Sequence, residues 1–324
     1  MISDESYSRL FDSITEAHQA LRPGVAVTPL AHSPRLSAQS GAQLYLKCEH
    51  LQHTGSFKFR GASNKVRLLT AAQRRVGVIT ASSGNHGQGL ALAAREAGVP
   101  VTVYACADAS AFKLDAIRAL GAEVITLDSD PLSVELHAAE QARRQGQLYV
   151  SPYNDTQVIA GQGTIGLELL EQLPDVDAVF VAVGGGGLIS GIGTAIKRLR
   201  PGTEIIGCWP SNAPAMERCL AAGQIVDVAE TDTLSDGTAG GVEPGSITFP
   251  LCQRVIDRRV LVSEAEIRAA LQAAARHERW IIEGAAGVAL AGALQLAAQY
   301  QGKRVAVIIC GRNILLEKFL GAVQ

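Results

Sequence analysis

The chain has 324 residues, of which 47% are hydrophobic and 19% charged, the composition of a globular protein with a substantial core. Its 29 basic and 31 acidic residues give a formal net charge of −2, so charge gives no reason to expect nucleic acid or an anionic membrane as partner. No apolar run is long enough to span a bilayer, and the polar, acidic first 21 residues differ from a secretory signal. We therefore expect a cytoplasmic protein.

The first half of the chain alternates short β-branched runs with Ala/Leu-rich amphipathic segments. This pattern predicts strands at residues 76–81, 101–105 and 123–127, with helices at 86–97 and 109–120 between them. A compact series of βαβ units over residues 63–149 follows from this order.

A second series begins after residue 150. Its predicted strands are residues 178–183, 204–209 and 304–309, and its predicted helices are 163–172, 189–199, 264–276 and 286–298. Two series of this kind predict an α/β protein with two lobes, each a mostly parallel sheet flanked by helices. Small ligands commonly bind in the cleft between such lobes.

Lys58 lies in the segment T-G-S-F-K-F-R-G-A, between two phenylalanines and flanked by glycines. Apolar surroundings disfavour the charged ammonium, and a neutral amine is what Schiff-base chemistry with a carbonyl requires. The alternative is a surface lysine whose stem covers apolar neighbours. This segment alone favours the surface lysine.

The segment T-A-S-S-G-N-H-G-Q-G, residues 80–89, joins a predicted strand to a predicted helix. Backbone N–H groups at such a helix start suit an anion such as a carboxylate. Asn85 adds an amide donor, and the Ser83 hydroxyl could exchange a proton. A plain helix N-cap with glycines for a tight turn explains the same residues equally well, and His86 alone favours a helix-start hydrogen bond over catalysis.

Four consecutive glycines, residues 184–187, lie between a β-branched strand and a helix. Each glycine costs backbone entropy, so the run makes sense if the backbone closes around a phosphate and donates its N–H groups. No G-x-G-x-x-G register and no G-K-[S/T] occurs here, which excludes the dinucleotide and P-loop classes. Cys310 lies in I-C-G-R-N, at the end of the last predicted strand. By itself it is best interpreted as an inert buried cysteine.

Taken together, these segments resemble the fold-type II pyridoxal-phosphate (PLP) enzymes, specifically the serine/threonine dehydratase and serine racemase family. The resemblance covers nearly the whole chain, and the motifs stand in the family's order. They are S-F-K-F-R-G-A, S-S-G-N-H-G-Q-G, V-I-A-G-Q-G-T-I-G-L-E, G-G-G-G-L, E-G-A-A-G and C-G-R-N. It implies a tryptophan synthase β-like fold with a large domain (residues 1–62 and 150–324), a small domain (63–149) and a homodimer.

The resemblance also implies the residues of a cofactor site. Lys58 would be the Schiff-base lysine, Phe57 would pack on the pyridine ring, and Asn85 would hydrogen-bond the ring hydroxyl. Cys310 would lie beside the pyridine nitrogen, where its neutral thiol makes the ring a weaker electron sink and suits β-elimination better than transamination. The phosphate loop would comprise Gly184, Gly185, Gly186, Gly187 and Leu188, and Glu283 would complete the cofactor-binding set.

The implied activity is dehydration and deamination of a small 3-hydroxy amino acid, such as L-threonine or L-serine, to a 2-oxo acid and ammonia. The catalytic residues would be Lys58, as base at Cα, and Ser83. The substrate-binding residues would be Ser82, Ser83, Gly84, Asn85, His86 and Gly237.

Four alternatives stay open. Ser83 matches the second catalytic residue of the racemases, so an amino-acid racemase is one of them. The others are a dehydratase of a rarer substrate (3-hydroxyaspartate, a phenylserine or a hydroxyectoine-derived diaminobutyrate), a β-replacement enzyme, and a PLP-binding or amino-acid-sensing protein without turnover.

Two segments depart from the family pattern. Family members that bind a structural cation have acidic residues in a segment resembling E-P-S-N-A-D-D, whereas this chain has W-P-S-N-A-P-A at residues 209–215. Mg²⁺ and Ca²⁺ need such carboxylates, so we predict that no metal binds here. The motif C-G-R-N also has Arg312 where glycine is commoner, and its side chain could be solvated or meet an acidic substrate group. The six cysteines are scattered without metal-ligand spacing, so no zinc site is expected.

Overall fold

The computed structural model describes residues 2–324 and contains two β-sheets flanked by helices. The larger sheet has six strands in the order β1-β2-β10-β7-β8-β9, all parallel except β1, which is antiparallel to β2. These strands are β1 (Leu30–His32), β2 (Gln43–Lys47), β7 (Ala178–Ala182), β8 (Glu204–Pro210), β9 (Arg258–Val262) and β10 (Arg304–Ile308).

Among residues 2–324, nine helices belong to the segments that build the larger sheet. They are α1 (Asp4–Leu21), α2 (Pro34–Ser40), α8 (Thr156–Gln172), α9 (Gly187–Leu199), α10 (Ala215–Ala222), α11 (Thr248–Val255), α12 (Glu264–Ala273), α13 (Gly284–Gln295) and α14 (Leu316–Val323). A π-helical turn, Ala274–Glu278, continues α12. Every residue of the central strand β7 is buried, because helices cover both faces of a parallel sheet.

The smaller sheet has four parallel strands in the order β5-β4-β3-β6. Its strands are β3 (Val78–Ala81), β4 (Val101–Cys106), β5 (Glu123–Leu127) and β6 (Leu148–Tyr149), and its helices are α4 (Ala71–Val76), α5 (Asn85–Glu96), α6 (Ala111–Ala119) and α7 (Pro131–Gln145). The predicted α/β class with two mostly parallel sheets is confirmed.

Helix α3 (Lys58–Arg67) lies between the two sheet systems, packing against α5 on one side and α8 on the other. The predicted domain boundary between residues 62 and 63 falls inside this helix.

Some predicted bounds are wrong. The strand expected at residues 76–81 begins at Val78, because residues 71–76 form α4 and Gly77, with φ of 87°, ends that helix. Helix α8 begins at Thr156 rather than at residue 163, capped by the Asp155 carboxylate. Among residues 2–324, no helix has the length and apolar character needed to cross a bilayer.

Candidate active site

A cavity of about 330 Å³ lies between the two sheets, where β3, β7 and β10 end. Loops at the carboxyl ends of parallel strands commonly form ligand sites. All the site residues predicted from the sequence line it: Phe57, Lys58, Ser82, Ser83, Gly84, Asn85, His86, Gly184, Gly185, Gly186, Gly187, Leu188, Gly237, Glu283 and Cys310. The structure brings these residues together, and their individual roles remain predictions.

Lys58 is the first residue of α3, and its amine points into the cavity region, where Nζ donates to the Pro152 carbonyl at 2.8 Å. Burial lowers the pKa of this amine to about 8. The amine lies 5.3 Å from the centre of the Phe57 ring. A backbone hydrogen bond of 3.1 Å from Phe57 N–H to the Cys310 carbonyl ties this segment to the end of β10. A half-buried lysine with a lowered pKa is suited to act as a nucleophile or base.

A buried ion network lies beneath α3, and the sequence analysis did not find it. The Arg60 guanidinium donates to both oxygens of Glu49, each at 2.8 Å, and to Glu168 at 3.0 and 3.1 Å. Lys47 Nζ donates to Glu168 at 2.5 Å and to the Thr28 carbonyl at 2.7 Å. Two cations and two carboxylates balance in charge, as buried ions must. Arg60 therefore fixes the start of α3, two residues after Lys58.

The turn from β3 into α5 presents Ser82, Ser83, Gly84 and Asn85 to the cavity, all of them half-buried. The Ser83 hydroxyl has no hydrogen-bond partner among residues 2–324, so it is available to a ligand. His86 is different: its ring is buried, Nε2 lies 3.2 Å from the Val150 carbonyl, and burial lowers its pKa to about 3. A histidine that stays neutral is a poor proton carrier at neutral pH, in line with the helix-start interpretation.

Asn85 and Glu283 meet across the cleft, where Asn85 Nδ2 donates to the two carboxylate oxygens at 2.9 and 3.0 Å. Burial raises the pKa of Glu283 to about 7. The Cys310 thiol lies 3.8 Å from the same carboxylate, and burial raises its pKa well above the ordinary value, so it is a neutral thiol. Asn313, which the sequence analysis did not single out, also hydrogen-bonds Asn85 and Glu283.

The glycine run forms the loop between β7 and α9, with Gly186 at φ of 86°. Helix α9 begins at Gly187, and the first N–H groups of any helix lack intrahelical acceptors. Close packing against neighbouring residues also requires glycine at these positions. A Cβ on Gly187 would lie 3.0 Å from Tyr153, one on Gly186 would lie 2.8 Å from Cys252, and one on Gly185 would enter the Tyr153 ring. The loop is both tightly packed and open to the cavity.

Two charged features of the cavity were not predicted. Lys113 on α6 forms an ion pair of 2.7 Å with Asp236, which precedes Gly237. Glu135 on α7 also lines the cavity, and burial, together with the nearby Glu243 carboxylate, raises its pKa to about 7. Neither residue lies in a motif of the resemblance, so only the folded chain shows that they reach the site.

The two departures from the family pattern have different surroundings. Arg312 is exposed and does not line the cavity, so the interpretation of a solvated side chain is the one that fits. The three residues at the acidic positions of the family segment, Trp209, Pro214 and Ala215, are all buried, and Trp209 lies in the core of the larger sheet. No group of three or more potential metal ligands occurs among residues 2–324.

The site and fold can now be compared with known proteins. A family model described as "Pyridoxal-phosphate dependent enzyme" matches residues 21–311. The chain is 43% identical over 304 residues to the L-threonine ammonia-lyase of Thermotoga maritima, covering 94% of this chain and 75% of that protein. The structure of the processed form of threonine deaminase isoform 2 from Solanum lycopersicum matches with a TM-score of 0.94 at 35% identity, covering 99% of this chain and 88% of that one. The structure of maize serine racemase matches with a TM-score of 0.89 at 33% identity, covering 96% of this chain and 97% of that one. The chain belongs to the pyridoxal-phosphate-dependent enzyme family.

These similarities confirm the predicted family, its PLP dependence and the assignment to the PLP-dependent lyases. The residues present also fit the cofactor. A half-buried lysine with a lowered pKa, an aromatic ring beside it, and a glycine loop at a helix start all border one cavity. Lys58 would hold the aldehyde carbon, Phe57 the ring face, and the loop of residues 184–188 the phosphate.

Proposed function

We propose that the protein catalyses β-elimination of a small 3-hydroxy amino acid, giving a 2-oxo acid and ammonia. The observation that carries this proposal is the half-buried Lys58, whose amine has a lowered pKa, in a cavity shared by the glycine loop and the Ser82–His86 turn. The threonine ammonia-lyase and threonine deaminase relatives support the same reaction. L-Threonine and L-serine are the substrates we propose first.

The reaction divides among a few side chains. PLP, when bound, supplies the electron sink that stabilises negative charge at the substrate Cα. The neutral Lys58 amine removes the Cα proton, which a protonated ammonium could not do. Backbone N–H groups and hydroxyls of the turn at residues 82–86 bind the substrate carboxylate, and Gly237 also lines the cavity. Phe57 and Asn85 orient the cofactor ring.

Cys310 favours elimination over reactions that need a strong electron sink. Its thiol is neutral because burial raises its pKa well above the ordinary range. A neutral thiol would not stabilise a protonated ring nitrogen as a carboxylate would, which favours loss of the β-hydroxyl as water, the proton that it takes up balancing the one removed from Cα.

A racemase is the second candidate, because the Ser83 hydroxyl lines the cavity without a partner among the described residues, and because the maize relative is a serine racemase. The two candidates differ in their dependence on Ser83. In the lyase, Ser83→Ala keeps substantial keto-acid release; in a racemase, it abolishes formation of the D-enantiomer.

Assembly and location are also proposals. We propose a homodimer of the 34.0 kDa chain, on family precedent, which sedimentation of the purified protein would check. Six free cysteines support a reducing compartment and hence the cytoplasm. We further propose that residues 1–62 and 150–324 form the large domain and residues 63–149 the small one, which is supported by the two separate sheets.

The proposed function is tested by adding a panel of 3-hydroxy amino acids to the PLP-loaded protein and measuring keto-acid release and enantiomer composition. We expect keto acid and ammonia in equal amounts from at least one member of the panel. Changes in the absorbance of bound PLP without any product would contradict the lyase and favour a binding or sensing protein.

A further inference from the structure

Asn313, the last residue of the C-G-R-N motif, connects three segments that come from distant parts of the chain. Its side-chain Nδ2 donates to the Thr54 carbonyl at 2.7 Å and to Asn85 Oδ1 at 2.6 Å. Its backbone N–H donates to Glu283 Oε2 at 3.1 Å. Thr54 belongs to the loop before Lys58, and Asn85 begins a helix of the smaller sheet. Asn313 therefore links the two sheet systems at the floor of the cavity.

The hydrogen-bond partners of Asn313 and Asn85 determine which atom of each side-chain amide is the nitrogen and which is the oxygen. The Thr54 carbonyl can only accept a hydrogen bond, so the Asn313 atom facing it must be the NH2 group. That NH2 group also faces Asn85, whose near atom must then be the carbonyl oxygen. The other end of the Asn85 amide is its NH2 group, and it donates to the Glu283 carboxylate. Amide orientation is usually ambiguous, but here a chain of acceptors resolves it.

We propose that Asn313 is a positioning residue that holds the Asn85 amide with its NH2 group, rather than its carbonyl oxygen, available to the ring oxygen of the cofactor. The inference rests on the proposed function, because it takes PLP as the occupant of the cavity. Asn85 Nδ2 is nearly equidistant from the two Glu283 oxygens, so one N–H can serve both and leave the second for the cofactor. Glu283 holds one end of the amide, and Asn313 holds the other.

The substitution that separates this role from simple packing is Asn313→Asp. A carboxylate of the same shape cannot donate to the Thr54 carbonyl or to Asn85 Oδ1, so it favours the reversed Asn85 amide. Asn313→Ala removes the restraint without reversing it, and it leaves the backbone N–H to Glu283 in place. A positioning role therefore predicts that Asp is more damaging than Ala. The neighbouring Arg312→Ala is the matched control, because the Arg312 side chain is exposed and outside the cavity.

The measurement is the dissociation constant for PLP, determined by titrating the apoprotein and following the absorbance of the bound cofactor. We expect Asn313→Asp to weaken PLP binding by about tenfold or more, which corresponds to the loss of one hydrogen bond to a charged group. Asn313→Ala should weaken PLP binding less than Asn313→Asp does, and Arg312→Ala should not change it. In an Asn85→Ala background, the Asn313 substitutions should have no further effect, since their action passes through Asn85.

Two results would overturn the inference. One is that Asn313→Asp binds PLP within about twofold of the wild type. The other is that the Asn313 substitutions weaken PLP binding as much in the Asn85→Ala protein as they do in the wild type. If Asn313→Asp does not fold, as judged by thermal unfolding of the apoprotein, Asn313→Ala and the double-mutant cycle decide the question. A wild-type protein that binds no PLP would refute the proposed function itself, which distinguishes that failure from failure of the Asn313 role.

Discussion

At the scale of single residues, the site depends on how burial changes the protonation of a few groups. Lys58 has a lowered pKa, whereas Glu283 and Cys310 have raised ones, and in each case burial is the largest cause. Burial disfavours the charged form of each of these three groups. Burial in the cavity thus makes the neutral form of the amine more accessible, which helps Lys58 to act as a base, and it keeps the Cys310 thiol protonated.

The lowered pKa of Lys58 predicts how cofactor uptake depends on pH. The attacking species is the neutral amine, whose fraction rises with pH until the pH exceeds the pKa. We expect the rate of PLP uptake by the apoprotein to rise up to about pH 8 and then level off. Dividing this rate by that of an N-acetyl-lysine control at each pH removes the ionisations of PLP itself. A rate ratio that stays constant with pH would show that the Lys58 pKa is that of an ordinary lysine.

At the scale of elements, α3 is held by the buried network of Arg60, Glu49, Glu168 and Lys47. Substituting Arg60→Met leaves two carboxylates with a single buried cation, and breaking a buried ion group in this way costs about 3–5 kcal/mol. We expect a correspondingly lower free energy of unfolding in urea. Arg143→Ala, which breaks an exposed helix pair, should leave unfolding unchanged. Equal effects of the two substitutions would contradict the role given to the network.

The loop between β7 and α9 makes a separate prediction through Gly185. A methyl group there would enter the Tyr153 ring, and overpacking of this kind costs about 1–3 kcal/mol. We expect Gly185→Ala to lower both thermal stability and PLP affinity. Gly202→Ala is the control, because a Cβ at Gly202 meets nothing within 4 Å. Wild-type PLP affinity in Gly185→Ala would show that the loop does not shape the cofactor site.

The sequence predicts elements well where local pattern and tertiary environment agree. Strand β7 was expected at residues 178–183 and is found at Ala178–Ala182, because an uninterrupted apolar run suits a strand buried on both faces. The first turns of α8 were missed because glycines usually break helices. Here Gly161 lets α8 approach the backbone of Arg60, where a Cβ would lie 2.6 Å from the carbonyl oxygen. The requirement for glycine at this position comes from the neighbouring helix α3 and is not apparent from the local sequence.

In the candidate site too, features set by the local sequence could be predicted, whereas features set by distant residues could not. Motifs identified Lys58 and the glycine loop, because each is a contiguous segment whose chemistry can be read from neighbouring residues. Arg60 lies in the Lys58 segment and Asn313 in the C-G-R-N motif, but their partners are far away in sequence: Glu168 for Arg60 and Asn85 for Asn313. Glu135 stands in no motif at all. Pairings over such distances arise only when the two sheet systems come together.

At the scale of the whole molecule, the larger sheet has an apolar side chain where the family resemblance leads us to expect an acidic one. Trp209 is fully buried at the position of the acidic residue, within the core of that sheet. An indole fills space and offers no ligand to Mg²⁺ or Ca²⁺, which prefer oxygen. The core at this point is therefore apolar rather than ionic.

This packing predicts a protein that is indifferent to divalent cations. We expect the chelator-treated protein to show the same thermal midpoint and the same activity before and after addition of Mg²⁺ or Ca²⁺. Differential scanning fluorimetry and keto-acid release measure the two quantities. A rise in midpoint that saturates with Mg²⁺ would contradict the account of Trp209.

The lobes together place one lysine at the centre of the proposed chemistry, and replacing that lysine tests the account most directly. The measurement is keto-acid release by Lys58→Ala beside the wild type and Lys303→Ala, an exposed lysine outside the cavity. We predict that Lys58→Ala loses at least about a thousandfold in kcat, since it lacks both the covalent link and the base at Cα, while Lys303→Ala keeps wild-type turnover. Full elimination activity in Lys58→Ala would contradict the account.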